Sequence, residues 1–120
     1  MKLEELLRGI DVRKFVGPAA KRPEVADVVC NSRDVRPGAL FVAVAGVEAD
    51  GHRYISVACQ KGATVVVLQD PRYLRDVSSE VTACVVADTQ EVLRQLVSRF
   101  FDFPYRHIQA VGITGTNGKT

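Results

Sequence analysis

The sequence closes on VGITGTNGKT, with glycines at 112, 115 and 118 and a final Gly-Lys-Thr triplet. These residue types suit a nucleoside triphosphate. Gly115 and Gly118, with Thr116 and Asn117 between them, let backbone N–H groups turn inward on an anion. Lys119 brings a point charge to the β- and γ-phosphates, and the Thr120 hydroxyl suits Mg²⁺. The common phosphate-loop pattern is G-x-x-x-x-G-K-[ST]. Counting five back from Gly118 reaches Ile113 rather than a glycine, so the loop departs from that pattern by one position. An apolar run over residues 108–113 precedes the loop, as a strand should. The competing reading is an exposed Gly/Asn turn in which Gly-Lys-Thr falls by chance. On these residues alone the loop indicates a nucleoside triphosphate and nothing finer.

A phosphate loop works only where a strand and a helix hold it, so the rest of the chain has to supply a layered body. Residues 2–8 read as a short helix, with Leu3, Leu6, Leu7 and Ile10 at helical spacing and Gly9 near its end. A loop with Gly17, Pro18 and Pro23 follows. Residues 25–30, 39–45, 64–68, 83–87 and 108–113 are apolar runs of strand length. Asp50 is placed to cap a helix over 52–61 that gathers Ile55, Ala58 and Cys59 on one face, and Gly62 sits where a left-handed terminal residue belongs. Residues 69–80 read as a polar excursion with a short helical turn. Asp88 to Glu91 has capping-box spacing, and Val92, Leu93, Leu96, Val97 and Phe100 then recur with helical period. Asp102 to Arg106, with Pro104, reads as a turn, and Asp102 to His107 as a linker. Strands alternating with helices predict an α/β fold: a small mixed, largely parallel sheet flanked by helices.

Composition narrows the class further. The chain has 120 residues, 47% hydrophobic and 25% charged, with a formal charge of +2. Those values suit a soluble globular domain with its own core. The Lys and Arg residues are scattered, so no electrostatic footprint for nucleic acid appears. No apolar run approaches the length that spans a bilayer, and the acidic N-terminus MKLEELLRGI does not read as a signal peptide. The expectation is a cytoplasmic protein with no nucleic-acid or membrane partner. Cys30, Cys59 and Cys84 lie among apolar neighbours with no metal-site spacing and read as buried free thiols. His52 and His107 are isolated and read as surface or loop histidines.

Three segments together resemble the Mur ligase family of peptidoglycan synthesis. NSRDVRPGALFVAVAG is similar to the family's Asp/Asn-Ser-Arg, Pro-Gly and Leu-Phe-Val-Ala block. ADGHRYISVACQKGATVVV is similar to its Asp-Gly-His block followed by helix, Gly-Ala and strand, and GITGTNGKT to its variant phosphate loop. The resemblance runs over residues 25–120. It implies that residues 1–103 form a domain gripping the UDP end of a UDP-muramoyl-peptide, and that 104–120 begin a central ATP-binding domain. Substrate contacts carry over onto Cys30, Ser32, Val47, Glu48 and Ala49. Cys30, Val47 and Glu48 are not the family's commonest side chains, so contacts there are expected through backbone. Taken without the resemblance, Ser32 reads as a turn cap, Asp50 as a helix cap and Arg33 as a solvated charge.

The implied cofactors are ATP, as co-substrate, and Mg²⁺ at Thr120, with Lys119 as the catalytic charge. The implied reaction is amide formation. ATP phosphorylates the D-glutamate side-chain carboxylate of UDP-N-acetylmuramoyl-L-alanyl-D-glutamate, and the amine of an incoming amino acid displaces phosphate from the acyl phosphate. The phosphate loop and the segment VSRFFDFP are most similar to the ligases that add this third peptide residue. The alternatives are the ligase that adds D-alanyl-D-alanine, and a stand-alone sugar-nucleotide-binding module. The resemblance implies the N-terminal piece of a larger, monomeric enzyme, truncated within the phosphate loop and inactive in ligation by itself.

Overall fold

Residues 39–42, 65–68 and 82–86 consist almost entirely of apolar and β-branched side chains, and every one of them is buried. Continuous burial of this kind arises when a sheet is covered on both faces, so that neither side of the pleat meets water. The computed structural model describes residues 2–17, 24–44 and 50–109, of which 102–109 are described as backbone alone. Its elements are α1 (Leu3–Leu6), β1 (Val12–Val16), β2 (Asp27–Val29), β3 (Ala39–Val42), α2 (Ile55–Gln60), β4 (Val65–Leu68), β5 (Thr82–Val86) and α3 (Thr89–Gln109). Three 3-10 turns, Ser32–Asp34, Gly51–Tyr54 and Pro71–Asp76, lie in the connections.

The strands form a five-stranded sheet in the order β1-β5-β4-β3-β2. β2, β3, β4 and β5 run parallel, and β1 closes the far edge antiparallel to β5. From β2 to β5 the order advances in one direction, so crossovers of one hand all fall on one face. That face holds Phe41, Ala43, Val66, Leu68, Ala83 and Val85 against Ile55 and Ala58 of α2 and against Val35, Tyr73 and Leu74 of the 3-10 connections. The other holds Leu40, Val42, Val65, Val67, Cys84 and Val86 against Leu3 and Leu6 of α1 and Val92 and Leu96 of α3. Phe41, Leu40 and Leu96 are fully buried, each contributing about 1.5–3 kcal/mol relative to exposure. The mixed, largely parallel α/β sheet expected from the sequence is therefore the one observed.

Several local expectations change. β1 lies where the sequence shows no strand pattern. Its register slips between Val12 and Lys14, so Val12 pairs with Val86 and Phe15 with Cys84. Opposed residues share a face, so a bulge puts Val12 and Phe15 on one side three positions apart and erases the alternation. The helix over 52–61 splits into the 3-10 turn Gly51–Tyr54 and α2.

α3 begins as expected, with the Asp88 carboxylate accepting the Gln90 and Glu91 N–H groups. The reciprocal half of the capping box does not form, because the Glu91 side chain bonds Arg94 and Gln95 instead. The turn expected at 102–106 and the start of a strand at 108 are corrected: α3 runs through Pro104 to Gln109. A proline inside a helix removes one rung and kinks it, but a helix already under way gains a bond for each further residue fixed. The expected boundary between 103 and 104 thus falls within a helix. Residues 110–113 of the expected strand lie outside the described residues.

Candidate functional site

Two sequence blocks meet at the carboxyl ends of β2 and β3. β2 ends at Val29, and Cys30, Asn31, Ser32 and Arg33 follow directly. The chain leaves β3 at Val42 and is next described, beyond Val44, at Asp50. Parallel pairing of Asp27–Val29 with Ala39–Phe41 brings both exits to the same edge. There Cys30, Asn31, Ser32, Arg33, Phe41, Val44, Gly51 and Tyr54 line a cleft of about 620 Å³. That volume lies within the roughly 300–1,000 Å³ of small-molecule sites. In α/β sheets ligands bind outside the carboxyl ends of the strands.

The loop after β2 is shaped by Asn31. Its side-chain oxygen accepts the Arg33 N–H at 2.9 Å and so opens the 3-10 turn Ser32–Asp34. Asn31, and not Ser32, is thus the cap. Ser32 is half-buried in the cleft wall, and among the described residues its hydroxyl has no hydrogen-bond partner. Arg33 is exposed at the same cleft, and among the described residues it has no carboxylate partner. A hydroxyl, an amide and a guanidinium around one cleft suit an anionic, oxygen-rich ligand.

The opposite wall is built by Gly51 and Tyr54. The Gly51 N–H donates to the Val44 carbonyl at 2.8 Å, closing the base of the 45–49 segment. A Cβ at Gly51 would stand 2.8 Å from the Val44 nitrogen and 2.9 Å from its oxygen, so no side chain fits there. Tyr54 is 43% exposed and offers an aromatic face at the cleft. The turn carrying both is capped by Asp50, whose carboxylate accepts the His52 N–H at 3.0 Å.

His52, expected as a surface or loop histidine, lies in the Gly51–Tyr54 turn of a connection but is buried there, 2% exposed. Its Nε2 accepts the N–H groups of Gln69 at 3.1 Å and Asp70 at 3.3 Å. Its Nδ1 lies 2.8 Å from the Asp50 carboxylate. These partners place the ring proton on Nδ1, making the Asp50 contact a hydrogen bond from a neutral ring. The His107 side chain is outside the described residues.

Of the expected substrate contacts, the structure brings Cys30 and Ser32 together at the cleft. Val47, Glu48 and Ala49 lie outside the described residues. Gly115, Thr116, Asn117, Gly118, Lys119 and Thr120 also lie outside them. Among the described residues no cluster of His, Cys, Asp or Glu could hold a metal ion, and no helix is long and apolar enough to cross a membrane. Cys30 is exposed and Cys59 only half-buried, correcting the expectation of buried thiols, while Cys84 is buried as expected. Tyr54 and Asn31 join the site only in the structure; their traces in the sequence are an Asx residue before Ser-Arg and an aromatic residue three positions after Gly51.

The Mur ligase family model, described as its catalytic domain, matches residues 24–110. A UDP-N-acetylmuramoyl-L-alanyl-D-glutamate–2,6-diaminopimelate ligase from Phocaeicola vulgatus is 41% identical over 100% of this chain and 24% of its own length. A UDP-N-acetylmuramyl-tripeptide synthetase from Roseiflexus is 42% identical over 100% of this chain and 23% of its own length. The chain therefore spans about a quarter of the length of these curated relatives. Among solved structures, MurF from Acinetobacter baumannii matches 86% of this chain and 21% of its own with a TM-score of 0.65 at 21% identity, a likeness of fold. MurF from Thermotoga maritima in complex with ADP matches 64% of this chain and 17% of its own with a TM-score of 0.52 at 27% identity.

Proposed function

The chain belongs to the Mur ligase family, and on that premise we propose that it is the UDP-sugar-binding part of the ligase adding the third amino acid to UDP-N-acetylmuramoyl-L-alanyl-D-glutamate in peptidoglycan synthesis. The observation that carries this is the meeting of Cys30–Arg33 with Gly51 and Tyr54 around one cleft. In this reading Ser32 and Arg33 hold the diphosphate, Tyr54 supplies an apolar face for a ring, and Val47, Glu48 and Ala49 complete the contacts. Residues 1–103 are the substrate lobe, and 104–120 lead into the ATP-binding part, where Lys119 meets the phosphates and Thr120 the Mg²⁺. ATP bound there would phosphorylate the D-glutamate carboxylate, which the lobe presents by anchoring the distant UDP group. The protein acts as a monomer in the cytoplasm. The relatives at 41% and 42% identity carry names of third-residue ligases, which favours this reading over the D-alanyl-D-alanine ligase.

The test is a titration of the 120-residue chain with uridine diphosphate, followed by amide NMR. Shifts that include Asn31, Ser32, Arg33, Gly51 and Tyr54 support the site. Shifts that leave these five amides unmoved, or none, remove it. In the complete enzyme Ser32→Ala is expected to raise KM for the UDP-linked substrate more than KM for ATP. Equal effects on both would remove Ser32 from the substrate contacts.

A further inference from the structure

Resting on the sugar-nucleotide reading, we propose that His52 is the positioning residue of the cleft: it pins the Gly51–Tyr54 turn to the exit of β4 and so sets the wall that the ligand meets. A single 3-10 turn has poor intrinsic stability, because ordering its backbone is repaid by few hydrogen bonds. Neither wall residue anchors it through a side chain, since Gly51 has none and Tyr54 is 43% exposed, although the Gly51 N–H is tied to the Val44 carbonyl. Between them His52 is buried with both ring nitrogens bonded, one to Asp50 just before the turn and one to the Gln69 and Asp70 amides just after β4. Its ring also lies 5.2 Å from that of Tyr73, tilted by 43°. The tie continues, because Gln69 Oε1 accepts both the N–H and the hydroxyl of Thr89, each at 3.0 Å. Thr89 is fully buried at the first position of α3. The Gly51–Tyr54 turn and the carboxyl ends of β4 and β5 are thereby joined by side-chain hydrogen bonds that start at the cleft wall. His52 does not line the cleft, so its role is exerted through Gly51 and Tyr54.

Two variants of the 120-residue chain separate the ends of the tie. His52→Asn keeps a donor near the Nδ1 position but removes the acceptor for Gln69 and Asp70, while His52→Gln keeps an oxygen near the Nε2 position. The expected result for His52→Asn is about tenfold faster hydrogen exchange at the Gly51 amide and about tenfold weaker uridine diphosphate binding, with Val66 exchange unchanged. His52→Gln recovers part of both and carries the same test if His52→Asn does not fold. Unchanged Gly51 exchange in a folded His52→Asn chain overturns the proposal. In the unmodified chain the ligand is expected to shift the Gln69 and Asp70 amides, neither of which lines the cleft, and bound ligand that leaves them unmoved also overturns it. Failure of uridine diphosphate to bind the unmodified chain instead sinks the ligand reading, and Gly51 exchange then decides the role of His52 by itself.

Discussion

The Nδ1 of His52 lies 2.8 Å from Asp50 Oδ1, and the same oxygen accepts the His52 backbone N–H at 3.0 Å. One carboxylate oxygen therefore caps the turn and orients the ring that holds it. Partial burial pushes the Asp50 carboxyl up, but the hydrogen bonds from the His52 backbone and ring, with Arg53 nearby, outweigh it and hold the group below its usual 3.8. A carboxyl lowered on folding adds stability above its unfolded pKa, and that stability is lost as the pH falls through the lower folded value. A carboxyl-carbon NMR titration is expected to place the Asp50 midpoint below 3.8, with Gly51 exchange accelerating as Asp50 protonates. A midpoint at or above the usual value would contradict the geometry.

Gly51→Ala probes the other side of the same turn. Gly51 is not among the positive-φ glycines, so the substitution is resisted by contact and not by backbone conformation. The new methyl would meet the Val44 backbone at 2.8 and 2.9 Å, and overpacking of this kind costs about 1–3 kcal/mol. Denaturant unfolding is expected to show that loss. An unchanged midpoint would mean that the Val44–Gly51 closure is looser than observed.

Thr64 offers a stabilising change. Among the described residues its hydroxyl is the buried side-chain polar atom without a partner. Its backbone N–H donates to the Ala39 carbonyl, and its carbonyl accepts the Thr82 N–H, so the ladder does not need the side chain. Thr64→Val removes the unsatisfied oxygen at nearly constant shape and is expected to stabilise by about 1 kcal/mol. Thermal unfolding reads this as a Tm several degrees higher, and a lower Tm would refute it.

The three thiols should react in a fixed order. Cys30 is exposed at the cleft. Burial raises the Cys59 thiol above its usual 9.0, opposed by a backbone hydrogen bond from Ser78 and assisted by Asp76. Burial pushes Cys84 up to about 12. The thiolate is the reactive form, so iodoacetamide at mildly alkaline pH should modify Cys30 first, Cys59 slowly and Cys84 only on unfolding. Peptide mass spectrometry resolves the order, and a Cys84 adduct on the folded chain would refute it. Uridine diphosphate should slow labelling at Cys30.

Features set by near neighbours are legible in this sequence, and features set by distant partners are not. Asp88 capping α3 and Asp50 capping its turn depend on residues two or three positions away, and both were visible in the sequence. The Val12–Val16 strand was not, because its bulge is defined only against Val85 and Val86 of β5. His52 looked like a lone polar residue because its Nε2 partners stand 17 and 18 positions further on. Cys30 looked buried among apolar neighbours, yet it follows an edge strand and opens onto a cleft.

By itself the sequence determined the buried runs of β3, β4 and β5, the caps, and the motifs that mark the family, because each is written in neighbouring residues and acts within a turn or a strand. The tertiary structure alone decided that Cys30–Arg33 and Gly51–Tyr54 face one cleft. That meeting requires β2 and β3 to pair in parallel, so that chain segments well separated in sequence leave the sheet at the same edge. It also decided that a histidine off the cleft is tied to the exit of β4, since its Nε2 finds its partners only once β4 lies beside β3.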